Sequence, residues 1–73
     1  MNYLQRKIVI AMCQNDMNAS RVARTERYHS NTILYHLDQI KKITGLNPKS
    51  FFDLIKLYEM ATKEEEEENR GID

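Results

Sequence analysis

Between His29 and Gln39 the chain gathers an unusual number of small hydrogen-bonding groups: Ser30, Asn31, Thr32, Tyr35, His36 and Gln39. On a helix turning about 100° per residue, Thr32, Tyr35, His36 and Gln39 share one side, with Asn31 at the edge and Ser30 at the start. No carboxylate lies in that band. Amides, hydroxyls and imidazoles can both donate and accept, which suits reading a pattern of donors and acceptors on a partner. Catalysis finds no support: no Ser–His–Asp set, glycine-rich phosphate loop or paired carboxylates can be assembled. His29 and His36 stand seven residues apart without cysteine or carboxylate at ligand spacing, so no metal site is expected. Cys13, in an apolar stretch, reads as a small buried hydrophobe rather than a nucleophile. The sequence therefore predicts a protein that is not an enzyme and holds no cofactor.

Four helices must position these groups. Asn2 can cap a first helix over about Tyr3 to Gln14, with Leu4, Ile8, Ala11 and Met12 as its stripe, and "QNDMN" ends it with turn-forming residues. Asn18 can cap a short second helix to about Thr25, whose inward face is Ala19, Val22 and Ala23. A third runs from about Ser30 to Thr44. Ile33, Leu37, Ile40 and Thr44 fall within a sector of about 60° and form its core face. Gly45 closes it, with Lys41 and Lys42 favourably placed at the negative end of the helix dipole. Pro48 excludes a helix through "LNPK". Ser50 then caps a fourth helix whose apolar face comprises Phe51, Leu54, Ile55, Leu57 and Tyr58, continuing into the glutamate run. Ile43 falls on the outer side of the third helix, where the fourth could cover it. Tyr28 is placed inward, against Ile33, and His29 at the start of the third helix, as a cap or bonding the turn.

With 73 residues the chain holds one domain. A core of this size is marginal alone, a single cysteine excludes an intrachain disulfide, and the broad apolar face of the fourth helix needs a partner, so a homodimer is expected. The net charge of zero conceals segregation. Up to Thr62 nine bases face five acids, whereas from Lys63 onward two bases face six acids. We divide the chain into a domain over 1–62 and an acidic C-terminal tail over 63–73. No apolar run reaches the ~20 residues of a membrane span and no signal peptide opens the chain, which places the protein in the cytoplasm.

A short helix with small inward residues, a four-residue turn and a longer helix with an acid-free outer band describe a helix-turn-helix. The fold class is thus all-α, a four-helix helix-turn-helix domain. In such a motif the second helix enters the major groove of double-stranded DNA. Ser30, Asn31, Thr32, Tyr35, His36 and Gln39 are the candidates for base contact. Ser20, Arg21, Arg24, Arg27, Lys41 and Lys42 are the candidates for phosphate contact, supplying affinity independent of sequence.

The stretch "NASRVARTERYHSNTILYHLDQIKKITGL" resembles the C-terminal helix-turn-helix of PucR/CdaR-type transcriptional regulators, here as a stand-alone chain. Asn18, Ser20, Ala23 and Arg24, then His29, Asn31, Thr32, Tyr35 and Leu37, then Ile40, Thr44, Gly45 and Leu46 match its pattern at the same spacing. The likeness extends over about residues 3 to 61. It implies a DNA-binding module of the same broad kind as the nucleoid protein Fis, acting in transcription regulation. Three positions depart: the family commonly carries arginine where Ser30 and His36 stand, and an apolar residue where Glu26 stands. Each arginine lost from a bidentate base contact removes ~1–3 kcal/mol of discrimination, which relaxes or alters specificity. The alternative reading is a protein-interaction module, an anti-regulator or assembly factor on a helix-turn-helix scaffold that no longer binds DNA.

Overall fold

The computed structural model describes the backbone of residues 1–70 and the side chains through residue 67; residues 71–73, the end of the acidic tail, lie outside it. Helix α1 spans Tyr3–Gln14, α2 Ala19–Thr25, α3 Ser30–Thr44 and α4 Phe51–Arg70. No strand occurs among the described residues. The fold class and the helix starts therefore agree with the sequence reading.

Each boundary has a local chemical cause. The Gln5 backbone N–H donates to Asn2 Oδ1 at 2.8 Å and the Asn2 N–H donates to Gln5 Oε1 at 3.1 Å, a reciprocal cap that starts α1. The Arg21 N–H donates to Asn18 Oδ1 at 3.0 Å and starts α2. Gly45 ends α3 in the left-handed region at φ 76°, its N–H donating to the Lys41 carbonyl at 2.9 Å. Thr44 reinforces this end: its hydroxyl donates to the Ile40 carbonyl and accepts the Leu46 N–H at 3.1 Å. Ahead of α4, the Asp53 carboxylate reaches back to accept the Asn47 N–H at 3.0 Å. This carboxylate, in the first turn of α4, thus ties down the preceding turn.

Helix α1 is the centre of the assembly. α2 and α3 pack on one side of it and on each other, while α4 lies along the other side. α4 runs antiparallel to α1: Phe51 and Leu54 meet Cys13 and Met17 at one end, and Glu64 meets Arg6 at the other. The core draws Ile8, Val9, Ala11 and Met12 from α1, Val22 and Ala23 from α2, Ile33, Leu37 and Ile40 from α3, and Leu54, Leu57 and Ala61 from α4. Small Ala23 beside Val22 lets α2 approach α3 closely. Arg6 is buried, donating to the Met1 carbonyl at 3.1 Å and standing 3.6 Å from the Glu64 carboxylate. That pair fastens the acidic half of α4 to the body.

Two expectations about packing require correction. Ile43 is not covered by α4 and stays 61% exposed, because α4 rests on α1 and leaves the end of α3 open. Of the apolar face of α4, Leu54, Leu57 and Ala61 are buried, whereas Phe51, Ile55 and Tyr58 remain exposed on its flank. A single helix beneath α4 can cover only a narrow stripe of it.

Candidate nucleic-acid interface

Recognition by a helix-turn-helix requires that the second helix project its N-terminal residues clear of the body. Ile33, Leu37 and Ile40, all but fully buried, set the rotation of α3. That rotation leaves Ser30, Asn31 and Tyr35 exposed and Thr32, His36 and Gln39 half-buried. The six candidate base-contact residues thus lie from the fully open edge of α3 to the shoulder where it meets the body. Tyr35 and His36 stack, with ring centroids 5.2 Å apart and planes 8° from parallel. His36 Nδ1 is buried without a hydrogen-bond partner, which leaves Nε2 as its outward nitrogen.

Beside the start of α3 the turn opens a cleft lined by Ser20, Arg24, Arg27, Tyr28, His29 and Ser30. Three of the candidate phosphate contacts, Ser20, Arg24 and Arg27, therefore converge on the N-terminus of α3. The first backbone bonds inside that helix come from the Thr32 and Ile33 N–H groups to the His29 carbonyl, at 3.0 and 3.2 Å. The N–H groups of Ser30 and Asn31 precede them and point out of the helix end. His29 occupies the N-cap position, but its side chain makes no capping bond, contrary to the sequence expectation. A cap needs a short side-chain oxygen, which imidazole does not supply. Tyr28 is likewise not an inward staple; it lies at the surface and lines the cleft. Anionic oxygens are the natural occupants of such a place, where uncapped N–H groups, a helix dipole and two guanidinium groups meet.

The remaining candidates lie elsewhere. Arg21 turns toward Asp16, Nη1 to Oδ2 at 3.4 Å, and Lys42 pairs with Asp38 at 3.0 Å one turn earlier on α3. All four side chains are largely exposed, so these pairs are weak and readily exchanged for other partners. Lys41 shares a hollow with Leu34, Asn47 and Lys49 at the far end of α3. Lys49 is a cation that sequence spacing did not single out; the turn at Asn47 and Pro48 folds it back beside Lys41. Glu26, at the end of α2, bonds neither the turn nor Arg27. Its carboxylate pairs with Lys7 on α1 at 3.4 Å, which accommodates an acid where an apolar residue is usual.

The turn itself is strained at one residue. Arg27 has φ 59°, and the Tyr28 N–H donates to the Ala23 carbonyl at 2.8 Å while the Arg27 N–H donates to that of Arg24 at 3.3 Å. This is a Schellman motif with arginine at the position that favours glycine. A side chain in this region costs about 1–2 kcal/mol, and glycine recovers that less ~0.5–1 kcal/mol of added chain entropy. Arg27→Gly is therefore expected to raise stability by about 0.5–1 kcal/mol in urea unfolding while weakening binding to any DNA.

No group of three or more His, Cys, Asp or Glu suited to hold a metal ion occurs among the described residues. Cys13, expected as a small buried hydrophobe, is exposed instead, because it lies on the flank of α1 beside the start of α4 rather than under it; the desolvation it does meet pushes its thiol above the ordinary value, which disfavours the thiolate needed for nucleophilic chemistry. No described helix is long and apolar enough to cross a membrane.

The family model of the PucR C-terminal helix-turn-helix domain matches residues 5–61, from α1 through the buried part of α4. The chain belongs to this family. No curated protein and no solved structure matched it. The PucR-type match spans all the elements that build the interface: α2 and α3, the turn between them and the α1 scaffold beneath. It ends at Ala61, the last buried residue among the described side chains of α4, ahead of the glutamate run.

Proposed function

We propose that this chain binds double-stranded DNA with sequence preference through α3, and acts as a transcription regulator at the nucleoid. The observation that carries this reading is the adjacency of two surfaces. An acid-free band of donors and acceptors on α3 lies next to a cleft where Ser20, Arg24 and Arg27 meet the open N-terminus of the same helix. Phosphate held in the cleft would fix the register of α3 in the major groove, and Asn31, Thr32, Tyr35, His36 and Gln39 would then meet base edges. Ser30, at the mouth of the cleft, serves either side. Lys41, Lys42 and Lys49 would meet the backbone farther along, and Arg21 would exchange Asp16 for phosphate. Two copies acting as a homodimer would read half-sites about 34 Å apart.

The test is titration of bulk DNA at several salt concentrations. Binding that weakens steeply with salt is expected, and Arg24→Ala should lower affinity for all sequences alike while flattening the log–log salt slope by about one unit. An unchanged slope would remove Arg24 from the phosphate contacts. Absence of any binding at low salt would favour the protein-interaction reading instead.

A further inference from the structure

On α4, Phe51, Ile55, Tyr58, Thr62 and Glu65 recur at alternating steps of four and three residues, the heptad spacing of a helix seam. None of these five is buried in the chain, whose own core uses the neighbouring stripe of Leu54, Leu57 and Ala61. Phe51, Phe52, Ile55 and Tyr58 are 60%, 75%, 42% and 41% exposed. Cys13 of α1 and Met17 of the turn after it border Phe51 and Ile55, and Tyr3 and Ile10 border Glu65, so the apolar surface continues onto the α1 side.

We infer that this face is the self-association surface, and that two copies join by antiparallel packing of α4 on α4 about a twofold axis near Tyr58. It rests on the DNA-binding reading only for its purpose, which is to carry two recognition helices. Charge sets the direction. Glu65, Glu66 and Glu67 are exposed in the C-terminal half of α4, where their own helix dipole opposes them. In an antiparallel pair centred on Tyr58, Glu65 of one copy lies against Phe51 of the other. It then sits beside the positive start of that copy's α4 and its exposed Lys49. A parallel pair would instead set the two glutamate runs side by side. Area is consistent with a second copy as the occupant. At roughly 200 Å² for a large side chain, the four exposed residues offer about 400 Å² per copy. With the α1 border included, the pair buries on the order of 1,000–1,200 Å² in total, the lower edge of specific interfaces.

Sedimentation of the full chain without DNA tests this. Dimer is expected at about 100–200 μM protein and low salt, with dissociation on dilution and at high salt as the Glu65–Lys49 attraction is screened. Ile55→Glu should give monomer at the same concentration with an unchanged helical circular-dichroism spectrum, since Ile55 supports no contact in the core. In a Cys13→Ser background, Tyr58→Cys should crosslink on mild oxidation and Phe51→Cys should not, because Phe51 is far from its own copy in an antiparallel pair. Wild type that remains monomeric, Ile55→Glu that still dimerises, Tyr58→Cys that fails to crosslink, or Phe51→Cys that crosslinks as readily would each overturn the proposal. A dimer that ignores DNA would leave this interface standing and defeat only the functional reading. A monomer that binds DNA would do the reverse.

Discussion

Asn31→Ala is expected to weaken binding to the protein's preferred site about 10- to 100-fold while leaving binding to bulk DNA nearly unchanged. A carboxamide can bond N6 and N7 of one adenine together, and such a bidentate contact carries ~1–3 kcal/mol of discrimination against the wrong base. Asn31 is exposed in the first turn of α3 and makes no side-chain bond within the described chain, so its removal touches no core contact. Alanine is also the better helix former. Stability should therefore move by no more than about 0.5 kcal/mol. Affinity for random sequence comes from cations on phosphate, which this change leaves in place. The check is to select bound sites from random DNA, then compare variant and wild type by anisotropy on the selected site and on bulk DNA at one salt concentration. Equal loss on both would show that Asn31 reads no base. Thr32→Ala should act in the same direction but less cleanly, since Thr32 is half-buried at the shoulder of the helix.

Leu37→Ala is expected to be the most damaging single core change for function. Leu37 is 1% exposed and belongs to the cluster that holds α3 to the body. Truncating a buried leucine to alanine costs about 2.7–5 kcal/mol, depending on how far the cavity collapses. A chain of this length has a total stability of roughly 4–11 kcal/mol. The change thus removes about a quarter to all of it, and the thermal midpoint should fall by at least about 10 °C at fixed protein concentration. DNA binding lost at growth temperature should return on cooling, because no contacting side chain has been altered. A shift of less than about 4 °C would mean that α3 is held by something other than this cluster.

Arg27 and Asn31 illustrate opposite bargains between stability and contact. Asn31 sits where its own helix asks little of it, so its identity is open to selection by a partner. Arg27 occupies a backbone conformation that disfavours any side chain, in a motif that glycine would complete. Arg27 lines the cleft at the start of α3, and on the proposed reading contact with phosphate would offset the strain of holding it there. The rings of Tyr35 and His36 form a third case. Their stacking orders two side chains before any partner arrives, which lowers the entropy lost on docking.

Much of this was legible in the residues themselves. All four helices begin where a capping side chain or a turn signal stands, and α3 ends at Gly45 as the spacing required. The core face of α3 followed from periodicity alone, whereas Thr32, His36 and Gln39, read as part of its outer band, lie half-buried at the shoulder. Other features were not legible. The sequence placed Tyr28 inward and His29 as a cap, and neither holds. Glu26, where an apolar residue is usual, meets Lys7, some twenty residues away in the chain, a pairing that local spacing does not reveal. Lys49 escaped notice because its position beside Lys41 depends on how the Asn47–Pro48 turn folds back.

By itself, then, the sequence determined the helices, their ends, the rotation of α3 and the family. These depend on hydrogen bonds and apolar spacing within a few residues, and such interactions are encoded where they occur. Only the tertiary structure decided which apolar residues the core would use. Because α4 rests on α1 alone, it covers Leu54, Leu57 and Ala61 and leaves Ile43, Phe51, Ile55 and Tyr58 in solvent. An apolar side chain is equally suited to its own core and to a neighbour's surface, and packing between distant segments chooses between them.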